Sequence, residues 1–239
     1  MPQLHFWLTD LFGVPTGGSQ AWLQTTGLLV ALLLLEAVLS ADNAVALASL
    51  VRHVEPAEDR QKILNWGLVL ALILRALAVA GAGFLMHQPL VRLFGGAYLV
   101  WLAAVHFQEE LSEAEAPRSG LEGAQHRGVL MVLLVAGTDL AFSLDSVSAA
   151  VGITDRLGLV VVAGAAGVLF LRCLAGWMLA WMERFPNLQN AGYLTVLAVG
   201  LRQVAQVVIP TVVPSEPVLL LVVLVLFSWG FSQGQAAEP

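Results

Sequence analysis

Acidic, hydroxyl and amide side chains occur together in two otherwise apolar stretches of the sequence. Carboxylate, amide and hydroxyl oxygens are ligands that suit Mg²⁺, Ca²⁺ and Mn²⁺ rather than copper or zinc. The single cysteine, Cys173, excludes an internal disulfide, a thiolate zinc site and an iron–sulfur cluster. The candidate metal ligands are Glu36, Asp42, Asn43, Asp139, Asp145 and Ser146, with Ser40 and Ser143 in supporting positions.

The composition indicates that these stretches lie in a membrane. The chain has 239 residues, of which 58% are hydrophobic and 12% charged, and its mean hydropathy is +0.81. Soluble domains carry about 25% charged residues. The net charge of −6, with only 11 Lys and Arg residues, offers no basic face for nucleic acid. We therefore expect a protein surrounded by a lipid bilayer, without a nucleic-acid partner.

The apolar segments predict an all-α, polytopic membrane protein with about seven transmembrane helices. A bilayer core needs roughly 20 apolar residues per helix, and segments of this length are too long for barrel strands. The last segment is the shortest, so it is either a tilted span or an interfacial helix; we favour a span. The helices are predicted near 22–51, 63–86, 92–110, 128–153, 158–182, 188–208 and 217–232.

Basic residues in the loops predict the orientation. The side with more of them is expected to be cytoplasmic, which places the N-terminus outside and the C-terminus inside a bacterial inner membrane. Between the third and fourth helices, the acidic segment 112–127 is interpreted as a solvated cytoplasmic loop. One side carries Arg52, Arg60, Lys62, Arg118, Arg127 and Arg184, and the other carries Arg92, Arg156 and Arg202.

The sequence also repeats itself. The two acidic stretches align at an offset of 103 residues, and in the helices that follow Arg75 aligns with Arg172 at an offset of 97 and Tyr98 with Tyr193 at 95. We therefore predict one transmembrane domain, 1–239, in which residues 22–111 and 128–208 are two repeats of three helices and 217–232 is an extra helix. Because three is odd, the second repeat would be inverted in the membrane. Inverted repeats are typical of secondary transporters, with the binding site at mid-depth.

Charge and helical geometry lead to two further expectations. Four intramembrane acids with Arg75 and Arg172 as counter-charges leave a formal charge of −2, which a divalent cation or two protons would neutralise. In an unbroken helix Asp42 points away from Glu36, because it is rotated by about 120°. We therefore expect the first and fourth helices to break near Ser40 and Ser143, which would free carbonyl oxygens as ligands.

At these residues the chain resembles the TerC family of integral membrane proteins, within the LysE-like transporter superfamily. The resemblance rests on Glu36 with Ser40-Ala41-Asp42-Asn43 and on Asp139 with Phe142-Ser143-Leu144-Asp145-Ser146, and it extends over roughly 22–208. It implies a metal-ion exporter, with Mn²⁺ as the best supported ion. The family name comes from tellurite resistance, and some members are linked to membrane-protein assembly.

These observations leave two classes of function open. The first is a transporter that exports a divalent cation, most of all Mn²⁺, in exchange for protons. The second is a non-transport scaffold, assembly factor or stress-response protein whose acids serve helix packing. A retinal protein is excluded because the only lysine, Lys62, lies outside the membrane core. We expect no enzymatic activity and no cofactor, and the sequence leaves open a homodimer.

Overall fold

The computed structural model describes residues 19–81, 88–112 and 124–232, and in these residues the chain is helical and contains no strand. The predicted all-α class is therefore confirmed. A short 3-10 turn, Pro210–Val212, precedes the last helix. The helices are α1 (Ser19–Val51), α2 (Ala57–Ala80), α3 (Pro89–Ser112), α4 (Ala124–Ile153), α5 (Leu157–Arg184), α6 (Asn187–Val208) and α7 (Glu216–Gly230).

Five helices in the described ranges, α2 to α6, are long and apolar enough to cross a membrane. Two shorter apolar segments, Trp22–Ala37 within α1 and Pro217–Gly230 within α7, accompany them. Each predicted span thus corresponds to a helix, but the predicted end at residue 86 lies outside the described residues. So does most of the acidic segment, whose last residues, from Ala124 on, belong to α4. The chain is a multi-pass integral membrane protein.

The helices of one half pack mainly against helices of the other half. The three most extensive contacts are α1 with α5, α2 with α4, and α3 with α6. If α1 is exchanged with α4, α2 with α5, and α3 with α6, the same three helix pairs result. This pattern is compatible with a duplicated unit; the repeat of three helices and the inverted orientation of the second half both stay predictions.

The contact between α3 and α6 depends on two glycines. A Cβ atom added to Gly96 would lie 2.8 Å from the carbonyl oxygen of Gly200, and one added to Gly200 would lie 2.9 Å from the oxygen of Gly96. The two backbones therefore touch directly, as they do at helix crossings in membranes where small residues allow close approach.

We expect Gly96→Ala to destabilise the protein because the new methyl group would meet backbone atoms that cannot rotate away. The expected loss is about 1–3 kcal/mol, as for other overpacked positions, and it should lower the thermal unfolding midpoint of the purified protein. Gly27→Ala is the matched control, because no atom lies within 4 Å of a Cβ atom there. Equal midpoints for the two variants would show that α3 and α6 can separate without cost.

The first and fourth helices are continuous through the acidic stretches, so the predicted helix breaks are wrong. The serines of α4 are satisfied within the helix instead. Ser143 Oγ donates a hydrogen bond to the carbonyl oxygen of Leu140 at 3.0 Å, and Ser146 Oγ donates one to that of Ser143 at 3.1 Å. Hydroxyls that bond back to the preceding turn are compatible with an unbroken helix, and they free no carbonyl ligands.

Candidate functional site

Glu36, Arg75 and Asp139 form a buried charged cluster between α1, α2 and α4. Arg75 Nη1 lies 2.6 Å from Glu36 Oε2, and Arg75 Nη2 lies 3.4 Å from both carboxylate oxygens of Asp139. The three residues are only 3%, 3% and 0% exposed. The structure therefore brings two of the four predicted acids to the same arginine, Arg75.

Helix α5 closes this cluster with two glycines. A Cβ atom on Gly167 would lie 2.9 Å from Glu36 Oε2, and one on Gly164 would lie 3.1 Å from Arg75 Cδ. Any larger residue at Gly167 would have to push the carboxylate away. Sequence reasoning missed these glycines, although Gly164 aligns with Gly67 when the matching segments around Arg75 and Arg172 are extended towards their N-terminal ends.

The charges of this cluster do not balance. If both acids are ionised, one guanidinium faces two carboxylates and the cluster carries a net charge of −1. Uncompensated charge is costly inside a membrane protein. In addition, Arg75 Nε is buried and has no hydrogen-bond partner in the part of the chain described. The cluster can therefore lower its energy by taking up a further positive charge, either a proton or a metal cation.

Further polar side chains line the same faces of the two helices. Residues separated by four and seven positions share a helix face. Ser40 and Asn43 therefore lie on the same face of α1 as Glu36, and Ser143 and Ser146 lie on the same face of α4 as Asp139. The four are between 1% and 4% exposed. Ser40 Oγ has no hydrogen-bond partner among the described residues, which makes it the most available neutral oxygen of the set.

Asp145 does not belong to the buried cluster. Asp145 forms an ion pair with Arg202 of α6, at 3.2 Å between Oδ2 and Nη1. Arg202 lies inside α6, and its pairing with Asp145 was missed because Arg202 was used only as an orientation signal. The side chain of Asp42 lies outside the described residues, so the structure gives no partner for it.

Arg172 is not in the acidic site. Its Nε donates a hydrogen bond to Oδ1 of Asn65, an exposed residue of α2, and it makes no ion pair with Glu36, Asp139 or Asp145. The expectation that both arginines balance these acids is corrected: Arg75 pairs with Glu36 and Asp139, and Arg202 rather than Arg172 pairs with Asp145. The two arginines match in sequence, but Arg75 faces the bundle interior whereas Arg172 faces outwards.

No group of three or more His, Cys, Asp or Glu side chains that could hold a metal ion occurs in residues 19–81, 88–112 and 124–232. The described geometry therefore offers two carboxylates, which share one arginine, with hydroxyl and amide groups beside them. Any cation bound there would have to compete with Arg75 for the same oxygens.

A bundle of apolar helices around a buried Glu–Arg–Asp cluster defines a polytopic membrane protein with a charged site inside the membrane. Among such proteins, this chain belongs to the TerC family of integral membrane proteins, whose family model matches residues 21–236. The match confirms the resemblance seen in the acidic stretches and covers both of them.

Curated relatives agree with this assignment. The chain is 32% identical over 180 residues to the membrane protein YceF of Bacillus subtilis, covering 74% of this chain and 70% of YceF. It is 31% identical over 196 residues to YkoY of the same organism, covering 73% of this chain but only 58% of YkoY. It is 26% identical over 212 residues to the inner membrane protein YgdQ of Escherichia coli, covering 82% and 83%. No solved structure matches the chain significantly.

Proposed function

We propose that this protein exports a divalent metal cation, with Mn²⁺ as the preferred ion, in exchange for protons. The observation that carries the proposal is the buried cluster of Glu36, Arg75 and Asp139, in which two acids share one base. A site with an unbalanced negative charge at this depth has an electrostatic reason to bind a cation. Membership of the TerC family supports a transport role.

Arg75 would act as the internal substitute for the cation. With the site empty, its guanidinium neutralises one carboxylate and keeps the cluster tolerable inside the membrane. When a cation approaches, the acids exchange their contacts with Arg75 for metal–oxygen bonds. When the cation leaves, Arg75 returns or protons bind. The competition keeps affinity low enough for release, which transport requires of any site.

The chemical type of the ligands favours hard divalent ions. Glu36 and Asp139 provide carboxylate oxygen, and Ser40 and Asn43 provide hydroxyl and amide oxygen on the same face of α1. These ligands suit Mn²⁺, Mg²⁺ and Ca²⁺. We place Asp42, Asp145 and Ser146 on the path to and from this site, with Ser143 as a supporting ligand.

The proposed path predicts accessibility from opposite sides. With the N-terminus outside, Asp42 lies on the cytoplasmic side of Glu36 and Asp145 on the outer side of Asp139, each about 9 Å from the centre. We expect a cysteine introduced beside Asp42, in a variant without Cys173, to react with membrane-impermeant thiol reagents only from the cytoplasm. A cysteine beside Asp145 should react only from outside.

The reverse labelling pattern would show that the orientation is inverted. Equal labelling of both positions from both sides would show that no gated path exists. A cysteine in place of Ser232, which follows α7, provides a reference for the side on which the C-terminal region lies.

A second candidate is a non-transport scaffold or assembly factor, including a role in tellurite resistance. It is favoured by the same cluster, because Arg75 already joins α1, α2 and α4 through short contacts, as a purely structural ion-pair network would. In this alternative the acids never release Arg75.

Metal flux in proteoliposomes separates the two candidates. We expect purified protein to move Mn²⁺ across the bilayer faster than protein-free vesicles do, with a proton movement in the opposite direction reported by a pH-sensitive dye inside the vesicles. Flux at the protein-free rate for Mn²⁺, Mg²⁺ and Ca²⁺ would favour the scaffold. Anomalous diffraction from a metal between α1 and α4 would show the bound ion directly.

A further inference from the structure

Arg172 and Asn65 form a polar pair on the outer surface of the helical bundle, where α5 and α2 lie side by side. The Nε group of Arg172 donates a hydrogen bond to Oδ1 of Asn65. Asn65 is exposed and Arg172 is partly exposed, whereas Arg75, its counterpart in the repeat, is 3% exposed. The pair therefore faces whatever surrounds the bundle.

The surface around this pair is apolar. Both helices are candidate membrane spans, so exposed apolar side chains on them contact lipid. A guanidinium in such surroundings is costly unless an anion pairs with it or its side chain extends towards the membrane surface. The exposed neighbours along the two helices are Trp66 (66%), Val69 (49%), Ile73 (52%), Leu169 (70%) and Trp177 (64%).

The protein itself supplies no such anion among the residues described. Asn65 is neutral, and the ion pairs found in this part of the chain involve Lys62, Arg75 and Arg202 but not Arg172. The bond from Nε to Asn65 fixes the guanidinium and leaves its two Nη groups for another acceptor. Gly176, one turn further along α5, would carry a Cβ atom 3.5 Å from Nη1, so any larger residue there would cover this side of the guanidinium.

We propose that Arg172 and Asn65 bind the phosphate of an anionic phospholipid at the lipid-facing junction of α2 and α5. A guanidinium presents a planar set of donors that matches phosphate oxygens, and the amide nitrogen of Asn65 can add one more donor. The apolar side chains of Val69 and Leu169 offer a surface for the acyl chains. This site is separate from the acidic cluster and does not depend on the proposed transport.

The position of the pair along the helices fits a headgroup drawn slightly inwards. Asn65 lies roughly 12 Å from the start of α2, and Arg172 roughly 18 Å from the end of α5, at 1.5 Å per residue. The Arg172 side chain shortens this distance, because its guanidinium lies beside Asn65 and Gly176, one turn nearer the end of α5 than its own Cα atom. A net negative headgroup is favoured over phosphatidylcholine, because basic positions between membrane helices attract anionic lipids.

The single cysteine of the chain provides a local probe, because Cys173 is exposed and adjacent to Arg172. We would attach a bimane fluorophore to Cys173 and reconstitute the protein in phosphatidylcholine vesicles that contain a small fixed fraction of brominated phosphatidylglycerol or brominated phosphatidylcholine. Bromine quenches bimane on contact. We expect brominated phosphatidylglycerol to quench bimane more strongly than brominated phosphatidylcholine does. Arg172→Gln should remove this difference in quenching, because it weakens the binding of phosphatidylglycerol about tenfold.

Two further variants make this experiment decisive. Asn65→Asp should also remove the difference, since it gives Arg172 a carboxylate of its own without changing side-chain size. Arg92→Gln should keep the difference, because it removes an equal charge from an arginine that is also bonded to another helix, through Ser148. Equal quenching by both brominated lipids in the wild type, or an unchanged difference in Arg172→Gln, would overturn the proposal. Self-quenching of the fluorophore would show that two copies of the chain meet at this surface. If Arg172→Gln abolished the self-quenching, the proposal would be overturned, because the partner of Arg172 would then be a carboxylate of a second copy of the chain.

Discussion

Asp139→Asn is expected to abolish metal export while the protein remains folded in the membrane. The substitution keeps the size of the side chain and leaves Arg75 paired with Glu36 alone, so the cluster becomes neutral and loses its reason to bind a cation. Since each 1.4 kcal/mol corresponds to a factor of ten in binding, we expect flux of Mn²⁺ in proteoliposomes to fall by roughly tenfold or more. Glu36→Gln should act in the same way, because it leaves Arg75 paired with Asp139.

The matched control is Asp59→Asn, which removes the same charge from an exposed ion pair with Lys62. It should leave the flux unchanged, because isolated surface pairs contribute little. Asp42→Asn and Asp145→Asn should also lose export if these acids lie on the path. Wild-type flux in Asp139→Asn and Glu36→Gln would show that the buried cluster is structural and would favour the scaffold function.

The second large effect is expected from Arg75→Gln. Without the guanidinium, the cluster keeps its two acids but loses the one base beside them, so protons become stronger competitors of the cation for the site. Cation binding then requires a higher pH, and the pH dependence of transport should move upwards. Arg75→Lys, which retains the charge, should restore most of the original profile.

Arg172→Gln is the control for this measurement, because the two arginines are equivalent in the sequence repeat but only Arg75 contacts the acids. Its pH profile should match that of the wild type, even if lipid binding at α5 changes. Identical profiles for all three arginine variants would mean that Arg75 has no influence on the protonation of the site.

Much of the architecture could be predicted from the sequence because hydrophobic segment length is a strong signal in membranes. Each predicted span corresponds to a helix, and Glu36 and Asp139, which occupy matched positions in the two acidic stretches, both contact Arg75. The helix breaks were wrong for a local reason: Ser143 and Ser146 satisfy their hydroxyls within the preceding turn, so residues that often cap helices are accommodated inside one.

The surroundings of the arginines and of Asp145 could not be predicted in the same way. Two residues that match in a sequence repeat lie at the same position along their helices. The match does not specify which side chains of other helices lie beside each of them. Arg75 is enclosed because Gly164 and Gly167 let α5 approach, whereas Arg172 lies at the surface of the bundle and bonds to the neutral Asn65. The pairing of Asp145 with Arg202 is a long-range contact between side chains of α4 and α6, which single-sequence reasoning does not reach.

The packing of each half against the other has a consequence for biosynthesis. Helices emerge from the ribosome in chain order, so α2 is delivered to the bilayer with Arg75 before α4 has been synthesised. During that interval, of the two acids that contact Arg75, only Glu36 is already present. Because α1 packs mainly against α5, and α2 against α4, the first three helices lack their main packing partners until the second half is inserted. A chain interrupted between the halves would therefore leave the Glu36–Arg75 ion pair and three apolar helices in the bilayer without the helices that enclose them.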